Sequence, residues 1–387
     1  MQAWQLPEYI ADILPSSAYC LENAKEKLLT LFRSYGYQLV MPPMLEYTNS
    51  LLTRIDKGLS LKTVRVTDQL SGFQIGVRAD ITTQISRIDA HVLSSNTGVN
   101  RLCYAGNVIH AKPETLYSTR DPLQVGAEIY GCADIEADIE LVDLMLKSVA
   151  ILGIEKPLLS LGHINIFRSL AKTAQLSPEQ IESLLNLIQV KDNEAVSNWC
   201  QQNRQPEKLS LSFCALTKLY GTPEYVLSNA KQMLPTSAEI TSALDNLQRM
   251  CQTFKDYTIH IDLSELRRDN YHNGLLFAAY RTGDSDALVR GGRYDGLGQY
   301  FGRSRPASGF SLDLKNFLDF THQQQVVSGI YVNVTDAQKA AEAIQTLRQN
   351  GEIVIVDYIN EGAKSLNCNR QLIRQNDEWK VIEITKD

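Results

Sequence analysis

The stretch ALVRGGRYDGLG, residues 287–298, and the ASGFSLDLKNFLDF that follows at 307–320 decide how the chain is read. The first is a strand running into a turn with glycines on both sides; the second is a strand leading into a helix. Working upstream, YTIHIDL (257–263) and GLLFAAYR (274–281) read as further strands. So do RLCYAGNVIH (101–110) and PLQVGAEIYG (122–131), joined by the polar AKPETLYSTRD, and LLSLGHINIF (158–167). Between these strands, residues 166–255 are dominated by helical patterns such as SPEQIESLLNLIQV and SAEITSALDNLQRMCQTF, which suggests a helical insertion.

Nearer the N-terminus, Leu21, Ala24, Leu28, Leu29 and Phe32 recur at helical spacing, predicting an amphipathic helix over 17–33 that stops at Gly36. GYQLVMPPMLEY (36–47) follows as an extended run. Pro42 and Pro43 bar it from a central ladder, so it belongs at an edge, a bend or an interface. VRVTDQLSGFQIGVRAD (64–80) reads as a hairpin turning at Ser71-Gly72. Helices are expected over 81–91 and 136–154, the latter ending at Gly153. After Gln323–Gln325 a tail reads β-α-β-β through GIYVNV, DAQKAAEAIQTLRQN, GEIVIVDY and WKVIEIT. The expected fold is α+β: a core over 1–325 with its helical insertion at 166–255, and a small α/β domain over 326–387.

The 387 residues carry 38 Lys plus Arg against 44 Asp plus Glu, a net charge of −6. A polyanion binder needs a basic surplus to displace counterions, so the chain is a poor candidate for nucleic acid. Seven scattered cysteines form no C-x-x-C pair, which speaks for reduced thiols and against a zinc knuckle. The N-terminus lacks a basic start before an apolar run, and no apolar stretch approaches the ~18 residues of a membrane span. A soluble, cytoplasmic protein is expected.

Familiar catalytic signatures are missing: there is no phosphate-binding G-x-x-x-x-G-K-[ST], no H-E-x-x-H and no G-x-S-x-G. The six histidines form no i, i+3 or i+4 pair for a metal. Four segments concentrate chemistry instead. VRADITTQ sets Asp80 two residues from Thr82, and LQVGAE sets Gln124 and Glu128 on one face of a strand. LRRDNYHNG gathers Arg267, Tyr271 and His272, and GGRYDGLG brings Arg293, Tyr294 and Asp295. Singly, each has an ordinary reading: a helix cap for Asp80, a solvated face for Gln124 and Glu128, a turn for GGRYDG. Together they supply carboxylates for an ammonium, arginine for a carboxylate and tyrosine for a ring, a set suited to a small zwitterion.

The order of these segments resembles the core of class II aminoacyl-tRNA synthetases, histidyl-tRNA synthetase in particular, over about 320 of the 387 residues. GYQLVMPPMLEY resembles the dimer-forming motif 1, RLCYAGNVIH…PLQVGAEIYG lies at motif 2, and GFSLDLKNF stands at motif 3. VRADITTQ and LRRDNYHNG are similar to R-P-E-x-T-A and R-G-L-D-Y-Y, and GGRYDGL matches a histidine-specific element almost letter for letter. The resemblance implies an antiparallel sheet flanked by helices. It also implies a histidine pocket in which Asp80, Thr82 and Gln124 hold the α-ammonium and Glu128 accepts from the imidazole. Tyr294, Tyr271 and His272 would complete its wall, with Arg267 facing the carboxylate.

The two arginines that clamp ATP phosphates in the synthetases fall at His110 and Asn316, and Asp313 replaces a glycine near the nucleotide. Without permanent bidentate cations, amino-acid activation is not expected. The tail is also short for an anticodon-binding domain. A synthetase core that keeps the amino-acid pocket and loses the clamps resembles the regulatory-subunit family of ATP phosphoribosyltransferase. That resemblance implies a non-catalytic chain that activates a short-form catalytic subunit, commonly in a hetero-octamer, and mediates feedback inhibition by L-histidine. Mg2+, ATP and PRPP would belong to the partner, and motif 1 would form a homodimer. The alternatives are an active histidyl-tRNA synthetase and a free-standing histidine sensor.

Overall fold

The computed structural model describes residues 4–52, 57–113, 115, 118–266, 272–320 and 328–384. The chain divides into two compact units, Met1–Asp12 with Leu21–Thr321, and Ile13–Cys20 with His322–Asp387.

The first unit is built on a nine-stranded sheet. Its middle runs Asn100–Asn107, Leu123–Tyr130, Ala307–Asp313, Val289–Arg293, Leu275–Tyr280 and Leu158–His163, each antiparallel to the next. Parallel pairs flank it at both ends: Gln38–Leu39 on Asn100–Asn107, and Ile259–Asp262 on Leu158–His163. The sheet is therefore mixed, with an antiparallel centre. Leu123–Tyr130, with a paired strand on either side, is buried along its whole length.

One face is packed by helix Ile135–Ile151, which buries Leu141, Val142, Leu144, Met145 and Val149. Helix Pro15–Ser34 adds Phe32, edge-on to Phe310 at 6.0 Å. Arg293 also turns to this side, donating to Asp138 at 2.7 Å and 3.0 Å, while the Ser308 hydroxyl donates to the same carboxylate. Arg293 and Asp138 are both buried, so losing either would strand a charge at a cost of about 3–5 kcal/mol. The other face is left open as a cleft.

Three expectations need correction. In LLSLGHINIF the strand stops at His163, and Ile164–Thr173 is a helix that buries Ile164, Phe167, Leu170 and Ala171 at helical spacing. The proline-bearing run is split. Only Gln38–Leu39 edges the large sheet, while Leu45–Tyr47 joins the Arg65–Thr67/Gln74–Val77 hairpin in a separate three-stranded sheet. The helix read over 81–91 is α-helical at Thr82–Arg87 and becomes a π-helical turn at Ile88–Val92.

The helical block comprises Ile164–Thr173, Pro178–Gln189, Asn193–Gln202, Glu207–Leu216, Pro223–Met233 and Ala238–Thr253. Side-chain caps fix several starts. Ser177 and Gln180 form a reciprocal capping box, and the Thr222 and Ser237 hydroxyls accept from the amides of Tyr225 and Ile240.

The second unit has a four-stranded sheet in the order Val354–Asp357, Gly329–Asn333, Cys368–Gln375, Glu378–Glu383, with helix Ala341–Gln349 supplying Ile344 to its core. Cys368–Gln375 is a strand absent from the β-α-β-β expectation. Its polar CNRQLIRQ buries Cys368 and Leu372, too few apolar positions to show a period of two.

Candidate functional site

The cleft has a volume of about 630 Å3, and its lining includes the start of helix Thr82–Arg87, strands Leu123–Tyr130, Ala307–Asp313 and Val289–Arg293, helix Lys57–Lys62 and the His272 region. Register sets its floor. Glu128 lies opposite Gly309, and Gly309 opposite Gly292, so one face presents Gln124, Gly126, Glu128 and Tyr130 beside two side-chain-free positions. A Cβ on Gly309 would overlap the Glu128 carboxylate, so only glycine leaves that carboxylate its place.

Glu128 is 1 % exposed. The Tyr294 hydroxyl donates to its Oε2 and the Tyr104 hydroxyl to its Oε1 at 3.1 Å. Tyr104 in turn lies 3.1 Å from the Thr82 hydroxyl, and Tyr294 lies 3.3 Å from the Tyr130 hydroxyl. Burial raises the Glu128 carboxyl from the ordinary value of 4.5 to about 8, with the Tyr294 and Tyr104 hydrogen bonds pulling the other way and Asp80 adding to the rise. Burial and the Glu128 charge push the Tyr104 and Tyr294 phenols well up, so they remain donors.

Asp80 stands at the start of helix Thr82–Arg87, accepting from the Thr83 amide at 3.4 Å and from Gln124 Nε2 at 2.7 Å. The Gln124 Oε1 accepts from the Ile81 amide at 2.9 Å, which fixes which end of its amide faces Asp80. Asp80, Thr82, Gln124, Glu128, Tyr294 and His272 all line this one cleft. His272 is buried, its ring edge-on to Tyr294 at 6.2 Å. Arg267 and Tyr271, with Asn270 at the motif's Asp position, lie outside the described residues.

Sequence reasoning overlooked Tyr104 and Tyr130, which close the hydroxyl ring around Glu128. The pairing Tyr104↔Gly126 held the signal: it sets Tyr104 between Gln124 and Glu128 on their face. It also overlooked Glu265 and Arg290. Arg290 is exposed in the cleft and shares the Glu128 face through Ser311↔Gly126, with no ion pair among the described residues.

The far end of the cleft holds His110, Asp313 and Asn316. His110 is buried, and its Nε2 lies 3.0 Å from the Ala79 carbonyl; because a carbonyl only accepts, the proton is on Nε2. Lys315, the nearest cation to Asn316 in sequence, is tied to Asp121 at 2.8 Å with both side chains largely buried. Asp313 accepts from the Leu123 and Lys315 amides, and burial raises its carboxyl. This end presents a carboxyl, an imidazole and an amide beside Lys62, and neither clamp position carries the arginine that would grip a polyphosphate bidentately. Among the described residues no group of three or more His, Cys, Asp or Glu side chains is placed to hold a metal ion. No helix among them is long and apolar enough to cross a membrane.

Residues 9–317 match the family model for histidyl-tRNA synthetase, and residues 327–382 match that for the ATP phosphoribosyltransferase subunit HisZ C-terminal domain. The chain is 52 % identical over 383 residues to the ATP phosphoribosyltransferase regulatory subunit of Neisseria meningitidis serogroup C / serotype 2a, covering 99 % of this chain and 100 % of that one. It is 48 % identical over 382 residues to the regulatory subunit of Chromobacterium violaceum, covering 98 % and 99 %. Among solved structures, an ATP phosphoribosyltransferase regulatory subunit/histidyl-tRNA synthetase from Bacillus halodurans superposes with a TM-score of 0.81 at 21 % identity, over 94 % of each chain. Histidyl-tRNA synthetase from Nostoc sp. PCC 7120 does so at 0.78 and 16 % identity, over 99 % of this chain and 97 % of that one. At such identities these two likenesses speak for the fold.

Proposed function

The chain belongs to the family of ATP phosphoribosyltransferase regulatory subunits, built on the histidyl-tRNA synthetase core, and on that premise we propose that it activates a catalytic partner and makes it sensitive to L-histidine. Its role in histidine biosynthesis is regulatory and non-catalytic, and a catalytic phosphoribosyltransferase subunit is its partner. We further propose that this partner is the short form, that the two chains assemble as a hetero-oligomer in the cytoplasm, and that Mg2+, ATP and PRPP are bound there by the partner.

The observation that carries the reading is the contrast within one cleft: a buried Glu128 ringed by hydroxyls, beside an end where His110, Asn316 and the tied Lys315 offer no phosphate clamp. The α-ammonium of histidine would meet Asp80, Gln124 and Thr82, and its imidazole would meet Glu128 between Tyr104 and Tyr294. Arg267, Tyr271 and His272 would close the site as the resemblance to the synthetases implies. The exposed Met41, Met44, Leu45 and Tyr47 support a self-interface around the proline-bearing run. The core would span 1–325, with its insertion at 166–255, and the tail 326–387.

The test is phosphoribosyl transfer by the catalytic subunit with this chain, with and without histidine. Activation by the wild-type chain and inhibition by histidine are expected. Glu128→Ala should activate as well as wild type while the histidine needed for inhibition rises roughly ten- to a hundredfold, since a hydrogen bond to a charged group is worth ~1.5–3 kcal/mol. Unchanged inhibition with Glu128→Ala would place the regulatory site elsewhere.

A further inference from the structure

The residues on either side of helix Thr82–Arg87 are of two kinds. Its first turn is made by the cleft: the Ile81 amide donates to Gln124, Thr82 meets Tyr104, and Asp80 accepts from Thr83. A second hydroxyl chain reaches the same helix lower down, where the Tyr130 hydroxyl donates to Ser86 at 3.5 Å and meets Tyr294 at 3.3 Å. Both chains end on Glu128. The other side of the helix grips the proline-bearing segment. Gln84 Nε2 donates at 2.8 Å to the Pro43 carbonyl and at 2.8 Å to Glu46. Arg87 donates to both oxygens of Glu46, at 3.1 Å and 2.5 Å. The Glu46 side chain is only 8 % exposed, so its three donors hold a buried carboxylate in one geometry. Just upstream, Arg78 donates to the Pro42 carbonyl at 2.8 Å and its amide to the Met44 carbonyl at 3.0 Å.

A six-residue helix packed this way moves as a unit, because buried side chains in staggered, hydrogen-bonded positions are not continuously deformable. It continues into the π-helical turn Ile88–Val92, a strained element frequent at functional sites. There the buried Asp89 accepts from Arg305 and Asn100, which anchors the far end. We propose that helix Thr82–Arg87 transmits occupancy of the cleft to the exposed segment 42–47, with Glu46 as the positioning residue that receives it. The proposal rests on the reading of the cleft as a histidine pocket and deepens it: ligand that fixes Asp80, Thr82 and Glu128 fixes the helix, and the helix fixes the edge offered to a second copy of this chain. By linkage, a partner on that edge tightens the ligand by the same factor.

Hydrogen–deuterium exchange of the full chain, with and without saturating L-histidine, tests this on the amides of residues 44–47, alongside calorimetric titration of histidine. In the wild-type chain histidine should slow their exchange at least threefold. In Glu46→Gln histidine should still bind within about threefold of wild-type affinity while that protection disappears; Arg87→Met serves if Glu46→Gln does not fold. A purely structural Glu46 would raise exchange equally with and without histidine and leave their ratio unchanged, which would overturn the coupling. Binding of histidine to the wild-type chain with no slowing at 44–47 would also overturn it while sparing the pocket. No binding at all would overturn the pocket reading, and the coupling with it.

Discussion

At one end of the cleft two phenols donate to the buried Glu128, and the Gln124 amide donates to Asp80 near the Thr82 hydroxyl. At the other end Lys315 is paired with Asp121 and the His110 ring is turned to the Ala79 carbonyl. The two ends share a sheet and a register, and they differ in what each demands of the chain. Recognition of a small zwitterion needs a few buried, pre-oriented hydrogen bonds, which a static floor provides. Phosphoryl chemistry needs fixed cations aimed at developing charge, and neutral replacements supply none of that. A chain that regulates a partner requires the first and can do without the second.

The comparison is broken most severely by Gly309→Ala. Its Cβ would displace the Glu128 carboxylate, so histidine binding should fall at least a hundredfold and stability by about 1–3 kcal/mol from overpacking, read by titration and chemical denaturation. Retained affinity would mean that Glu128 is not the ring's partner.

A second effect is on pH dependence. The Glu128 carboxyl titrates at about 8 in the folded chain against an ordinary 4.5, so the fold binds this proton more tightly than the unfolded chain does. Its contribution is fully present below about pH 4.5 and is lost as pH rises to about 8, on the order of a few kcal/mol across that window. Glu128→Gln removes this titration. The variant should therefore lose less stability than wild type between pH 5 and pH 8, the window being set by the shift just described; thermal unfolding across that range checks it, and parallel curves would contradict the buried-acid account.

The smallest effect sharpens the contrast from the other end. Lys315→Met breaks the pair with Asp121 and should cost about 1 kcal/mol of stability while histidine affinity stays within twofold. A large loss of histidine affinity would show that the two ends are not separable.

Much of this was legible before any coordinates. The even spacing of Gln124 and Glu128 set them on one face, and GGRYDGL carried the resemblance to a histidine-specific element. Strand order, and with it the convergence of Asp80 on Gln124, is a long-range property that no local pattern encodes. Tyr104 was read only as part of a strand, because its role depends on the residue opposite it. Ile164–Thr173 was misread since its first four residues, INIF, continue an apolar run, and short runs do not separate helix from strand. The use of Lys315 was invisible because its partner, Asp121, lies almost two hundred residues away in a different loop.

The account is tested most directly by calorimetric titration of the purified chain with L-histidine, followed by Mg-ATP in the same cell. Saturable heat from histidine, none from ATP and no release of pyrophosphate is the predicted result. Heat from ATP with histidine-dependent pyrophosphate release would contradict it, because the cleft would then perform activation chemistry without arginines at positions 110 and 316.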